Sequence, residues 1–487
     1  MKHKSLFILF FILSFLSLIF PVYALDDSEK DASFVIRNIN YTIVGKTREN
    51  VLAHYLNIKS GDSFASENDL QLYLDDKLQI IKNQRSLAGG EIKTTYTKDS
   101  QNPGRSFVDL EVNVRDTWNY LVLPYAKYDS NEGTTISLKG RNYNFLGSME
   151  TLKLNLDYLL TNDIESEYSL NGGFDLPFYL WGFNWKFGFD GDLALSQSNL
   201  FQVYTKTSIS MDIPLDNLTW QASVNQEYYL NEDGETDADG YYMRNAARFG
   251  SSIPTGLYLP FLGEIIYSPG IITSYAYKPF GSLSTERKGS ELGAKHDLTA
   301  GRINWFGNFR DGALFSFDQD LRYNFTRGLW LSDLDAEFQF HKAFGWGGFS
   351  SRIEGFYLYN STDTDIGDPI RGILNDRLNG NAAVFVNLDL PVKMWIWFLD
   401  RWFEGHISPF FDYALVKPEN GDFDLNKGWY STGLEGFAFL KAARSIYLRM
   451  SLGVDLEAIL DGASLGDPAP RDGESIYTIF IGLGHHY

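Results

Sequence analysis

Cysteine is absent from the 487 residues, which excludes disulfides and thiolate metal sites. Basic residues are scarce: 42 Lys+Arg stand against 62 Asp+Glu, a formal net charge of −20. Nucleic acid is therefore not an expected partner, since binding phosphates needs a basic face. After residue 24 no long hydrophobic run occurs. The best candidate, Val392 to Asp400, falls well short of the ~18 apolar residues of a spanning helix. A chain of this kind crosses a membrane only as a closed barrel, because lipid leaves the backbone groups of an open sheet unsatisfied. Catalytic signatures are missing too. There is no Gly-x-Ser-x-Gly elbow, no His-Glu-x-x-His and no phosphate loop, so no enzyme activity, catalytic residue or cofactor is expected. The seven His are scattered, and the adjoining His485 and His486 point to opposite faces of a strand. An EF-type calcium loop starting at Asp363 needs Glu at position 374, which is Leu. That acidic stretch, Asp363–Asp368, and the other, Asn231–Gly240, read as solvated loops, and no metal site is expected.

What is present is aromatic and alternating. Hydrophobic residues make up 44% and aromatics 16%, yet mean hydropathy is −0.22. That combination results when apolar residues alternate with polar ones instead of forming blocks. Residues 1–24 open with Lys2, His3 and Lys4, continue as an apolar run from Leu6 to Phe20 and end Pro21-Val22-Tyr23-Ala24. This is the pattern of a secretory signal peptide, although an uncleaved anchor has the same run. A cysteine-free exported chain suits a bacterial envelope.

Residues 33–116 form a unit of their own. The alternating run Phe34 to Val44 ends at Gly45. A helical segment with Val51, Leu52, Tyr55 and Leu56 follows, then a turn containing Gly61 and Asp62. A second helix carries Leu70, Leu72, Leu74, Leu78 and Ile81, and strands Glu91–Thr97 and Phe107–Val114 close the unit. The order β-α-α-β-β predicts a three-stranded sheet with both helices on one face and an edge strand open. Other ferredoxin-like accessory domains satisfy the same pattern.

From residue 118 to residue 487 the chain is a succession of two-residue alternations about ten residues long, separated by Gly, Asn, Asp and Pro. In one, Leu448, Met450, Leu452 and Val454 alternate with Arg449, Ser451, Gly453 and Asp455. A soluble sandwich has the same period, but one of this size would divide into linked domains, and no such break is evident. Aromatics crowd strand ends, as at Phe178-Tyr179-Leu180-Trp181 and Trp402-Phe403, in the manner of membrane-interface girdles. The expected fold is an all-β transmembrane barrel of about 16 antiparallel strands preceded by a small α+β domain. The count runs from sixteen to eighteen depending on whether 242–252 and 262–275 each span. Arg371 lies in a connection of about twenty residues, too long for a tight hairpin. If that loop folds into the lumen its guanidinium needs a carboxylate, and Asp412 is the one offered by strand 410–413.

The N-terminal unit resembles a POTRA domain, the periplasmic module of the BamA/TamA family of outer-membrane assembly and translocation barrels. The residues that carry this are Ile39–Gly45, Gly61-Asp62-Ser63-Phe64 and Val108–Val114; Asn83–Leu87 departs from the family's Gly-aromatic-Phe cluster. Within the barrel, Asn142–Gly147 is similar to the family's first hairpin ending. Ile370-Arg371-Gly372-Ile373 resembles the tip of its inward loop, with Ile373 in place of an aromatic, and Asn387-Leu388-Asp389 its Asn-x-Glu strand. Phe410-Phe411-Asp412 is similar to its Phe-x-Asp strand, and the ending Ile479–Tyr487 to its terminal insertion signal.

The resemblance implies insertion or translocation of proteins at the bacterial outer membrane, with a single POTRA domain in the periplasm. The partners it implies are unfolded outer-membrane or secreted client proteins, the lipid bilayer and periplasmic accessory proteins. Closure pairs the first strand with the last, where Gly482 and Gly484 contribute little cross-strand packing before the terminal Tyr487. A weak seam opens laterally and accepts a client strand by backbone hydrogen bonding. A passive porin-like channel is the alternative reading.

Overall fold

A computed structural model describes residues 23–24 and 34–483 apart from 85, 103, 162–165, 198–199, 216–217, 233–239, 285–286, 361–365, 395–399, 419–420, 442–446 and 465–466. Most of the leader expected over 1–24, together with Gly484 and Tyr487, lies outside the described residues.

The N-terminal region is a small α+β domain. Strand β1 (Phe34–Val44) leads through α1 (Glu49–Leu56) and the two-residue β2 (Ser63–Phe64) to α2 (Glu67–Asn83), then β3 (Leu87–Lys98) and β4 (Ser106–Asp116). The sheet order is β2-β1-β4-β3, with β1 parallel to β4 and the other neighbours antiparallel. The sheet thus has four strands rather than the expected three, because Ser63 and Phe64 pair with Val35 and Phe34. Ser66 caps α2: its Oγ accepts from the Asp69 N–H at 3.1 Å and donates to the Asp69 carboxylate at 2.7 Å. Leu52, Leu56, Leu70, Leu74 and Ile81 from the helices are buried against Ile36, Val108, Leu110 and Val112 of the sheet.

The rest is a closed antiparallel barrel of eighteen strands, not about 16. Both doubtful segments span, as Tyr241–Leu259 and Gly263–Tyr277. Val392–Met394 continues the strand Ala382–Asp389 in the same register on Phe403–Lys417 and adds no further strand. Short hairpins join strands at the domain end; in one, Trp181 and Gly182 both take positive φ (55° and 84°), as the turn matching strand twist requires. Outward positions are apolar, with Ile136, Leu138, Leu154, Leu156, Leu448, Met450 and Leu452 all exposed, while Arg449, Ser451 and Asp455 are buried inside. Exposed aromatics such as Trp181, Phe261, Phe306, Trp346 and Trp402 gather at the hairpins of the domain end. No described helix is long and apolar enough to cross a membrane.

The domain covers that end of the barrel. Met149, from the turn after the second barrel strand, is buried in the domain core. On the far rim the Arg302 guanidinium meets Asp76 at 2.5 Å and Asn83 donates to Asn304 at 3.0 Å.

Candidate functional site

The functional geometry lies where the long loop after the thirteenth barrel strand (Gly348–Tyr359) folds back into the lumen. Apolar residues draw it in: Ile366, Ile370, Ile373 and Leu378 are buried against Ala383, Phe385, Ala414 and Trp429 of the wall. This anchoring places Arg371, 4% exposed, among three carboxylates. Its Nε and Nη2 donate to Asp412 at 2.9 and 2.7 Å, and Nη1 reaches Asp389 at 2.8 Å and Glu435 at 3.0 Å. The Arg371 backbone N–H also donates to Asp412, at 3.0 Å, and the guanidinium lies 3.8 Å over the Phe410 ring. Glu435 is shared with Arg449, at 2.6 Å. The planar fork of Arg suits such a multidentate site, which a point-charged Lys cannot reproduce.

Gly372 has φ +85°, and a Cβ there would lie 2.7 Å from the backbone N of Val454 and 2.9 Å from the carbonyl carbon of Gly453. The loop backbone therefore rests directly on the strand Tyr447–Asp455, and only glycine at this position permits it. The structure thus brings Ile370, Arg371, Gly372 and Asp412 together. It adds Asp389 and Glu435, which no sequence signal assigned to this cluster, and a second buried guanidinium beside it, Arg377. Arg377 is buried between Asp455 (3.0 Å) and Asp472 (2.7 Å), beneath Trp429.

The seam is narrow. Between the first strand (Tyr120–Asp129) and the last (Tyr477–Leu483) only two residue pairs align among the described residues, Asp129 with Phe480 and Tyr128 with Ile481. The other neighbouring barrel strands share from seven pairs to sixteen. Just beyond, the Ser130 N–H donates to the Ile479 carbonyl at 3.0 Å, and the Ile479 N–H donates to Ser130 Oγ at 3.0 Å. Gly482 is in the last strand, and a Cβ there would meet the Phe480 ring at 2.8 Å and Lys127 Cγ at 3.4 Å.

The remaining predicted positions lie in the domain, far from this cluster. Gly45 lets the chain wrap the Asp116 carboxylate, which receives the Lys46 N–H (2.6 Å), the Thr47 hydroxyl (2.6 Å) and the Asn144 amide (3.0 Å). Gly61 takes φ +98° in the turn before Asp62, whose carboxylate accepts from the Lys59 N–H and the Tyr73 hydroxyl.

Fold and site define a transmembrane-type β-barrel with a lumenal loop and an N-terminal α+β domain. CdiB from Acinetobacter baumannii has this fold: the match covers 93% of this chain and 74% of that one, with a TM-score of 0.50 and 13% identity. Similar at lower scores are BamA from Haemophilus ducreyi lacking POTRA domains 1–3 (TM-score 0.41, 13% identity, 96% and 89% covered) and CdiB from Escherichia coli (0.38, 8%, 94% and 92%). No family model matches the sequence, and no curated protein matches it.

Proposed function

We propose that the chain inserts or translocates polypeptides at a bacterial outer membrane, its α+β domain acting as a single POTRA-type module in the periplasm. The observation that carries this is the seam, which among the described residues pairs over two positions where the other neighbouring barrel strands pair over seven or more. Strand edges exposed by its opening accept a client strand through main-chain hydrogen bonds, and the client's own folding into lipid supplies the driving energy. No catalytic group takes part. The inward loop serves as a lumenal brace, held by Arg371 against Asp412. An open channel is less consistent with the structure, because the loop occupies the lumen and the domain covers one mouth.

Depletion of the protein followed by quantitative proteomics of the outer membrane tests the reading. Broad loss of barrel proteins supports assembly, and loss of one secreted product supports dedicated export. An unchanged proteome, together with a large and steady conductance of the purified protein in planar bilayers, would establish the porin instead.

A further inference from the structure

Two buried guanidiniums pin the loop at either end of the segment 371–377. Arg371 is held by Asp389, Asp412 and Glu435, and Arg377 by Asp455 and Asp472. Between them, two backbone N–H groups reach opposite sides of the seam. That of Gly372 donates to Thr478 Oγ1 on the last strand at 2.8 Å, and that of Asn375 donates to Asn131 Oδ1 at 2.9 Å, in the turn after the first strand. The Asn131 side chain is itself aimed, because its amide nitrogen donates to Asp129 at 3.1 Å. A cavity of about 290 Å³ borders the segment on the lumenal side, lined by Lys127, Asn131, Asn375, Thr478 and Phe480 among others.

We propose that segment 371–377 is a clasp across the seam, with Asn131 and Thr478 as the residues that position it. The inference rests on the lateral-opening reading above and names what restrains that opening. Relative strengths decide where the clasp gives way. The guanidinium clusters are buried and multiply bonded, so breaking them costs far more than breaking one neutral hydrogen bond. Release therefore occurs at Asn131 and Thr478 while the loop stays attached to the later strands. Once either contact is lost, separation is opposed among the described residues by the seam itself, through the pairing from 128 to 130 with 479 to 481 and the Lys127 ammonium over the Phe480 ring.

The absence of cysteine makes the test direct. The full chain, reconstituted in phospholipid vesicles, carries nitroxide labels at Val122→Cys on the first strand and Ile481→Cys on the last, and pulsed electron–electron resonance reads the distance between them. Asn131→Ala and Thr478→Val are each expected to raise the ratio of separated to closed seams about fivefold, and the pair together by about the same fivefold, because the two contacts act in series. Thr478→Ser, which keeps the accepting hydroxyl, is expected to match the parent distribution. Heat-modifiable migration in gels verifies folding of each variant. The proposal is overturned by a double variant with the parent distribution, or by Thr478→Ser opening the seam as far as Thr478→Val. These distances are read without any client, so an outer-membrane proteome indifferent to depletion would remove the proposed function and leave the clasp standing.

Discussion

Arg371 faces more negative charge than it can neutralise alone: Asp389, Asp412 and Glu435 converge on it, and Glu435 also meets a second guanidinium, that of Arg449. Arg371→Ala leaves Asp412, which is fully buried, without its cation. The expected loss is about 3–5 kcal/mol, seen as a lower temperature at which the compact, fast-migrating form disappears in gels. Exchanging the pair, Arg371→Asp with Asp412→Arg, restores one ion pair but moves the guanidinium off the spot where it meets three carboxylates. Stability should then lie above either single reversal and below the parent; a double exchange no better than the singles would mean that the pair is not what holds the loop.

A second residue-scale effect is confined to the α+β domain. The Tyr73 phenol is pushed well above its ordinary 10.0, first by burial and then by the hydrogen bond it donates to Asp62 at 2.9 Å. A raised folded-state value means stability that is complete below pH 10 and is lost as pH rises through and beyond it. Hydrogen exchange of α2 amides should therefore accelerate, relative to barrel amides, as pH is raised from 9 to 11. Tyr73→Phe should flatten this dependence at some cost in stability at neutral pH; an identical alkaline profile in the variant would refute the assignment.

At the scale of elements, the loop and the strand it rests on were shaped around one glycine contact. Gly372→Ala places a methyl 2.7 Å from the Val454 backbone N in a φ of +85°, so the loop must lift. The expected cost is about 1–3 kcal/mol, with faster proteolysis within the loop of intact protein in vesicles. Gly453→Ala collides with Gly372 from the other side, at 2.5 Å, and should give the same cleavage pattern. Unchanged protease resistance in both would show that the loop is not seated on this strand.

Such contacts mark the boundary of what the sequence discloses. Outward alternation is legible because a strand repeats every two residues, so Leu448, Met450 and Leu452 declare a face by themselves. The strand Tyr241–Leu259 was harder to read, because Gly250, Ser251 and Ser252 break its alternation and a register shift lies between Pro254 and Tyr258. Gly250 sits so close to the Pro269 carbonyl, 2.4 Å from an added Cβ, that no side chain fits there, and the two segments that carry this contact were those in doubt. An Arg in a long loop announces that it needs a carboxylate. Nothing local, however, says that Asp389 and Glu435 join Asp412, or that Arg377 reaches Asp472, 95 residues away. Those partners follow from barrel register, and register depends on strand number and hairpin geometry together.

Across the whole molecule, the two attachments of the domain to the barrel differ in kind. Near the seam the joint is buried: Met149 lies in the domain core, and the Asn144 amide bridges Thr47 (2.8 Å) and Asp116 (3.0 Å). On the opposite rim the contacts are polar and partly exposed, namely Arg302 with Asp76 and Asn83 with Asn304. Exposed pairs contribute about 0–1 kcal/mol each and weaken with salt, whereas a buried, fully bonded network is costly to disrupt. The domain should therefore pivot about residues 144–149 and release first from the rim at 302–304. Nitroxide labels in α2 and in the strand Gly289–Phe306 should show a second, longer distance in Asp76→Arg, or at high salt, while a label pair across 144–149 keeps its distance. Release beginning at the Asn144 side, or a rim distance indifferent to both salt and charge reversal, would show that the domain is fixed over the mouth rather than hinged there.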